Sequence, residues 1–155
     1  MEWLDYDTDN CSVRRTLEVI GEKWTILVLR EAFNGVRRFD QIREHTGMSD
    51  AVLSARLRTL VGQGVLEAVR YKEPGARTRH EYRLTEKGLD LYPVLIALMQ
   101  WGDKHRSDPA GPALVITHRG CGEPVHAVVE CAAGHAVGVR ESASAPGPAA
   151  RLLSA

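Results

Sequence analysis

Residues 49–63 read Ser-Asp-Ala-Val-Leu-Ser-Ala-Arg-Leu-Arg-Thr-Leu-Val-Gly-Gln. Leu53, Leu57, Leu60 and Val61 recur at helical spacing and make a stripe that has to be buried. Asp50, Ala51, Ser54, Ala55 and Arg58 fall on the other side, which is small and polar. Ser49 is a good N-cap by residue type, and Gly62 and Gly64 close the segment. The pattern then switches from helical to alternating. Val65 to Tyr71 reads as a strand and Glu81 to Leu84 as its partner. Between them runs Lys72-Glu73-Pro74-Gly75-Ala76-Arg77-Thr78-Arg79-His80, a turn with four Lys, Arg or His side chains.

Upstream, Phe39, Ile42 and His45 mark a short amphipathic helix that ends near Thr46-Gly47. Before it, a helix from about Lys23 to Phe33 carries Trp24, Leu27, Val28 and Glu31 at helical spacing. Ile26 and Leu29 widen its apolar face, as in a buried core helix. Asn34-Gly35 stops it. A helix from about Val13 to Ile20 precedes it, with Val13, Leu17 and Ile20 on one face, and Gly21 separates the two. Downstream, Thr85-Glu86-Lys87-Gly88 opens a last helix to about Lys104, with Pro93 early in it or kinking it. The order is helix, helix, short helix, turn, helix, then a hairpin with a basic tip. That is the order of a winged helix-turn-helix, a mainly α fold with a small β-hairpin wing.

The domain organisation follows from composition. Residues 1–12 are an acidic arm, and 13–106 form the winged helix-turn-helix domain. Pro109, Gly111 and Pro112 mark a linker. Residues 113–140 alternate in polarity and form a short C-terminal β-rich appendage. Residues 141–155 are mainly Ala, Ser, Pro and Gly and read as a disordered tail. The chain has 155 residues and a net charge of zero, with 44% hydrophobic and 26% charged residues. This balance suits an ordinary globular protein and excludes a strongly basic packaging protein. Three cysteines are too few for a disulfide scaffold. Glu2, Asp5, Asp7 and Asp9 precede any Lys or Arg, unlike a secretory signal. The longest apolar run, Tyr92 to Met99, is too short for a bilayer. A reducing cytoplasm, without membrane contact, is the expected compartment.

Charge is local rather than global. Residues 37–84 hold ten Lys or Arg against six Asp or Glu, a net of +4. That is the footprint a DNA-facing surface needs. A helix over 49–63 fits the major groove, and small residues let its backbone approach the bases. The expected double-stranded DNA contacts are Ser49, Asp50, Ala51, Ser54, Arg56 and Arg58 on that helix. Arg37 and Arg38 add phosphate contacts, and Lys72, Arg77 and Arg79 do so from the wing, beside His80. A Gly-rich phosphate loop, a Ser elbow and a His-Glu-x-x-His run are all missing from the sequence, so an enzyme is not expected. The competing reading is a winged helix used only for protein interaction, whose wing would not need to be basic.

Five stretches, in order and with the right gaps, resemble the HxlR family of bacterial winged-helix transcription regulators. They are Cys11-Ser-Val-Arg-Arg, Ile20-Gly-Glu-Lys-Trp-Thr-Ile-Leu-Val-Leu-Arg-Glu, Gly35-Val-Arg-Arg-Phe-Asp-Gln-Ile, Ser49-Asp-Ala-Val-Leu-Ser-Ala-Arg-Leu-Arg-Thr-Leu, and Glu81-Tyr-Arg-Leu-Thr-Glu-Lys-Gly. The resemblance covers about residues 11–105. The family often has Cys-Pro where this chain has Cys11-Ser12. The resemblance implies a homodimeric repressor on an inverted-repeat operator, released by a small-molecule or redox signal, with dimer contacts from the first and last helices. The last helix is apolar on most of its sides, which agrees with a buried contact. Leu17, Leu91, Leu95, Leu98 and Met99 are the expected interface.

Two further groups stand apart. Cysteines at the position of Cys11 serve in some family members as sensors of oxidants or electrophiles. Arg14 and Arg15 lie nearby and would favour a thiolate. The alternative is a small buried hydrophobe. In the appendage, His118-x-x-Cys121 and Cys131-x-x-x-His135 flank glycine turns and resemble a shortened zinc ribbon, with His126 as a substitute ligand. The alternative there is a β-hairpin with two free cysteines.

Overall fold

The computed structural model describes residues 3–75 and 77–153. Met1, Glu2, Ala76, Ser154 and Ala155 lie outside the described residues. They belong to the expected arm, wing tip and tail. The chain divides into two compact units, residues 1–90 with 145–155, and residues 91–144.

In the first unit the helices are α1 (Ser12–Ile20), α2 (Lys23–Phe33), α3 (Phe39–Thr46), α4 (Asp50–Gly62) and α5 (Glu86–Leu89). Strands β1 (Leu66–Tyr71) and β2 (Arg79–Leu84) pair antiparallel, from Leu66 opposite Leu84 to Tyr71 opposite Arg79. Helix α2 is the centre of the unit and packs on α1, α3, α4 and β2. Val28, Leu29, Leu53 and Leu60 are wholly buried there, joined by Ile20, Ile42, Met48, Leu57, Val65 and Leu66. Each such aliphatic side chain contributes about 1.5–3 kcal/mol by leaving water. Together they make the one core on which α3, α4 and the hairpin rest.

Three features of this unit differ from the sequence reading. First, residues 37–38 add a third, short rung to the sheet. The Tyr82 amide donates to the Arg37 carbonyl at 2.8 Å, and Arg38 bridges Glu81. Second, the residues expected to be a disordered tail pair with the arm. Tyr6 bridges Leu152, the Asp7 amide donates to Arg151 O, and the Leu153 amide donates to Asp5 O, both at 2.8 Å. Backbone pairing needs no particular side chain, so composition gave no warning of it. Third, the last helix is broken. Helix α5 ends at Leu89 and α6 (Tyr92–Arg106) starts afresh with Pro93 in its first turn. A proline inside a continuous helix would lack its amide bond and clash with the carbonyl four residues back.

The second unit contains α6 and the segment after it. Two tight turns follow the helix. In one, Val125 N donates to Ile116 O (2.9 Å) and His118 N to Glu123 O (2.8 Å). In the other, Val137 N donates to Val129 O (2.9 Å) and Cys131 N to His135 O (3.0 Å). The β-rich appendage expected over 113–140 is therefore not built. Among the described residues it has only the single bridges Thr117–Pro124 and Glu130–Ala136. Each turn closes on itself after three backbone bonds, and Pro124 has no amide with which to extend a ladder.

Candidate nucleic-acid interface

Helices α3 and α4 meet at a tight corner. Gly47 has φ of 71°, a left-handed conformation that favours glycine, and its amide donates to Arg43 O at 2.8 Å. The Ser49 hydroxyl accepts from the Val52 amide at 3.3 Å and so caps α4. Arg43 Nη1 reaches Asp50 Oδ1 at 3.1 Å and ties the end of α3 to the start of α4. Deeper down, the wholly buried Glu31 accepts from Arg30 Nε (2.9 Å) and Nη2 (2.6 Å). Its second oxygen lies 2.7 Å from His45 Nδ1, which locks α3 to α2. In the sequence Glu31 and His45 stand on two separate helical stripes. That they meet depends on the α2–α3 crossing, which periodicity does not encode.

The outer face of α4 follows the expected division. Leu53, Leu57 and Leu60 are buried, while Ser49, Asp50, Ala51 and Arg58 are exposed. Ser54 is half-buried at the edge. Arg56 departs from its expected role as a free DNA contact. It lies beside Leu57 at the margin of the buried stripe, with Nη1 3.6 Å from Glu22 Oε2 at the start of α2. Its Nε is buried and has no hydrogen-bond partner among the described residues. Its head is directed to α2 rather than outward.

On the wing, Lys72, Arg77 and Arg79 are exposed, and Arg79 Nη1 lies a loose 3.7 Å from Asp40 Oδ2. Exposed Arg70 stands opposite His80 in the register and adds a cation to the same hairpin. Arg37 is exposed beside the added rung. Arg38 is not a free phosphate contact. Its Nη1 pairs with Glu73 Oε1 at 2.7 Å, and its guanidinium sits over the Tyr71 ring, 4.7 Å from the centroid. It braces the wing near its tip, where Tyr71 and Glu73 lie. Half-burial pushes the neighbouring Tyr82 phenol up, so it stays neutral.

The other expected sites are placed as follows. Cys11 is half-buried at the N-cap of α1, its amide donating to Thr8 O at 3.0 Å. Arg14 pairs with Asp9 rather than with the thiol. His118 Nδ1 lies 3.2 Å from Cys121 Sγ, and Cys131 meets His135 only through the backbone. Among the described residues no three His, Cys, Asp or Glu side chains are gathered so as to hold a metal ion. His118 and Cys121 thus share one turn, and Cys131 and His135 the other. Backbone amides of His135 and then Ala133, directed at its sulfur, hold the exposed Cys131 thiol below the usual thiol range. Leu17 and Leu98 are exposed, whereas Leu91, Leu95 and Met99 are half-buried.

A sequence model of the HxlR-like helix-turn-helix family matches residues 19–109. The chain belongs to that family. It is 44% identical over 146 residues to the HTH-type transcriptional regulator Rv3095 of Mycobacterium tuberculosis, covering 94% of this chain and 91% of the relative. The structure of PA1607, described as a candidate transcription factor, superposes with a TM-score of 0.79 at 35% identity, covering 90% and 96% of the two chains. The oxidized form of the redox regulator HypR superposes with a TM-score of 0.56 at 29% identity, covering 63% and 100%. This HxlR-family chain is thus a transcriptional regulator with a helix-turn-helix domain, not an enzyme. Among the described residues no helix is long and apolar enough to cross a membrane.

Proposed function

We propose that this HxlR-family regulator is a homodimeric repressor that binds an inverted-repeat operator. Helix α4 enters the major groove and the wing lies along the adjacent backbone or minor groove. One observation carries this reading: the exposed N-terminal face of capped α4 stands on the same core as an exposed basic wing. Arg58 is the α4 side chain free to reach a base edge, and Arg37, Arg70, Lys72, Arg77 and Arg79 supply the phosphate contacts. Dimerisation uses the exposed apolar faces of α1 and α6, which solvent alone would not cover. Release by a small-molecule or redox signal belongs to the same reading, with Cys11 as the reactive thiol.

A gel shift on the protein's own upstream DNA at several salt concentrations tests it. The expected result is a specific complex whose affinity falls steeply as salt rises. A protein that leaves this DNA unshifted at low salt, yet retains its fold, would instead be a winged helix for protein interaction.

A further inference from the structure

The second unit contains a cleft of about 430 Å³ between the C-terminal half of α6 and the turn that follows it. Its walls are Met99, Leu114, Val115, Ile116, Pro124 and Val125. The size lies within the range of about 300–1,000 Å³ seen for small-ligand sites, and apolar walls with few polar groups are their usual character. One wall, residues 112–126, lies beyond residue 109, where the family match ends. The helix-turn-helix therefore does not require it.

The cleft is shaped in advance by a side-chain clasp. Gln100 Oε1 accepts from the Ala127 amide at 2.9 Å, which fixes the orientation of its amide group. Gln100 Nε2 then donates to Val125 O (3.3 Å) and to His126 Nδ1 (2.9 Å). Because Nε2 of glutamine can only donate, His126 Nδ1 accepts. The neutral imidazole consequently carries its proton on Nε2, the nitrogen left unused by the clasp. Lys104, also on the rim, is exposed and has no ion-pair partner among the described residues. Asp103 is the one acid of the lining and forms no ion pair with Lys104 among them. The rim thus offers an ammonium and an imidazole N–H against a single carboxylate, above an apolar floor.

We propose that this cleft binds a small apolar carboxylic acid, its hydrocarbon body on Met99, Leu114 and Ile116 and its carboxylate between Lys104 and His126. The proposal rests on the reading of the chain as a regulator released by a small molecule, and supplies the chemical class of that molecule. Its charge-assisted contacts orient the acid, and the apolar floor supplies most of the affinity.

Calorimetric titration of the full chain, without DNA, uses octanoate, octanol and octylamine as probes. Octanoate is expected to saturate at one per chain, with octanol and octylamine about tenfold weaker or more. Lys104→Met lowers octanoate affinity about tenfold and leaves octanol unchanged. Leu114→Asp removes binding of all three. Should Leu114→Asp fail to fold, Lys104→Met at an exposed position still decides. Absent saturation by octanoate, or equal affinity for the three probes, overturns the proposal. So does a Leu114→Asp chain that turns from dimer to monomer while no probe binds the parent, since the cleft would then seat a second copy. Because DNA is absent from the titration, loss of operator binding with intact octanoate binding counts against the DNA-binding reading alone.

Discussion

Arg58 and Arg38 differ in what holds them, and this separates reading from positioning. Arg58 is exposed on α4, whereas Arg38 is held by Glu73 and Tyr71. Arg58→Ala should cost about 1–3 kcal/mol on the operator and relax sequence preference. Arg38→Ala should weaken binding to every sequence without changing the salt dependence, because no phosphate contact is lost. Arg77→Ala should instead flatten the salt slope by about one unit. Titrations over a salt series distinguish the three, and an Arg38→Ala slope that drops like that of Arg77→Ala would make Arg38 a phosphate contact. Glu31 is a stability residue of another kind, being a wholly buried carboxylate held by Arg30 and His45. Glu31→Ala leaves the His45 ring without its acceptor and removes the α2–α3 lock. Urea denaturation should show a loss of about 1–3 kcal/mol, since Arg30 and His45 remain in contact with water once the lock is gone. Cys131 gives a pH test. Its thiolate is stabilised by backbone amides, so its folded value is lowered and the reactive form appears earlier as pH rises. Iodoacetamide labelling followed by mass spectrometry should place its midpoint below that of the same cysteine in the urea-unfolded chain; an equal or higher midpoint would remove the amide effect.

At the scale of elements, the hinge between wing and last helices shows why Thr85-Glu86-Lys87-Gly88 is written as it is. The Thr85 hydroxyl donates to Gly64 O at 2.6 Å and accepts from the Gly88 amide at 3.1 Å, capping α5. Gly88 is buried against the wing base, and a Cβ there would come within 2.2 Å of the Val65 carbonyl oxygen. Gly88→Ala should therefore push α5 off the Val65 backbone and cost about 1–3 kcal/mol. Denaturation midpoints check it, and an unchanged midpoint would mean that α5 moves freely. The helices and the hairpin were legible because their apolar residues repeat with the periods of helix and strand, as Leu53, Leu57 and Leu60 do. The α5–α6 break was not legible: one helix from Thr85 is expected, with Pro93 early in it or kinking it, whereas Pro93 opens a second helix. The rung at Arg37 and Arg38 was not legible. Two adjacent arginines read as phosphate contacts, and only the fold brings their backbone beside Tyr82. For His118, Cys121, Cys131 and His135, spacing shows which donors are near in sequence, but not whether two turns bring them together.

At the scale of the whole molecule, each unit leaves an apolar helix face open. In the first unit, Val13 and Leu17 of α1 are 66% and 56% exposed. In the second, Val94, Leu98 and Trp101, spaced at i, i+4 and i+7 on α6, are 39%, 51% and 61% exposed. Leu95 and Met99, expected at the dimer contact, are half-buried, and Met99 lines the cleft. The outward stripe of α6 thus keeps Leu98 of the expected residues and adds Val94 and Trp101 in place of Leu95 and Met99. Two exposed helix faces of this kind are the sort of surface that a second copy buries. A two-fold dimer also matches an inverted repeat, since each subunit takes one half-site. Leu98→Glu places a charge at the centre of that stripe, and an uncompensated charge at a dry contact is poorly tolerated. Light scattering at micromolar concentration should give a dimer for the parent and a monomer for Leu98→Glu. Val139→Glu is the control, because Val139 is 89% exposed and lies outside both helices. Its mass should match the parent. Operator affinity should fall with Leu98→Glu although every proposed DNA contact is intact, since half-sites are then bound singly. A monomeric parent, or a Leu98→Glu chain that stays dimeric with full affinity, would show that α6 is not the seam.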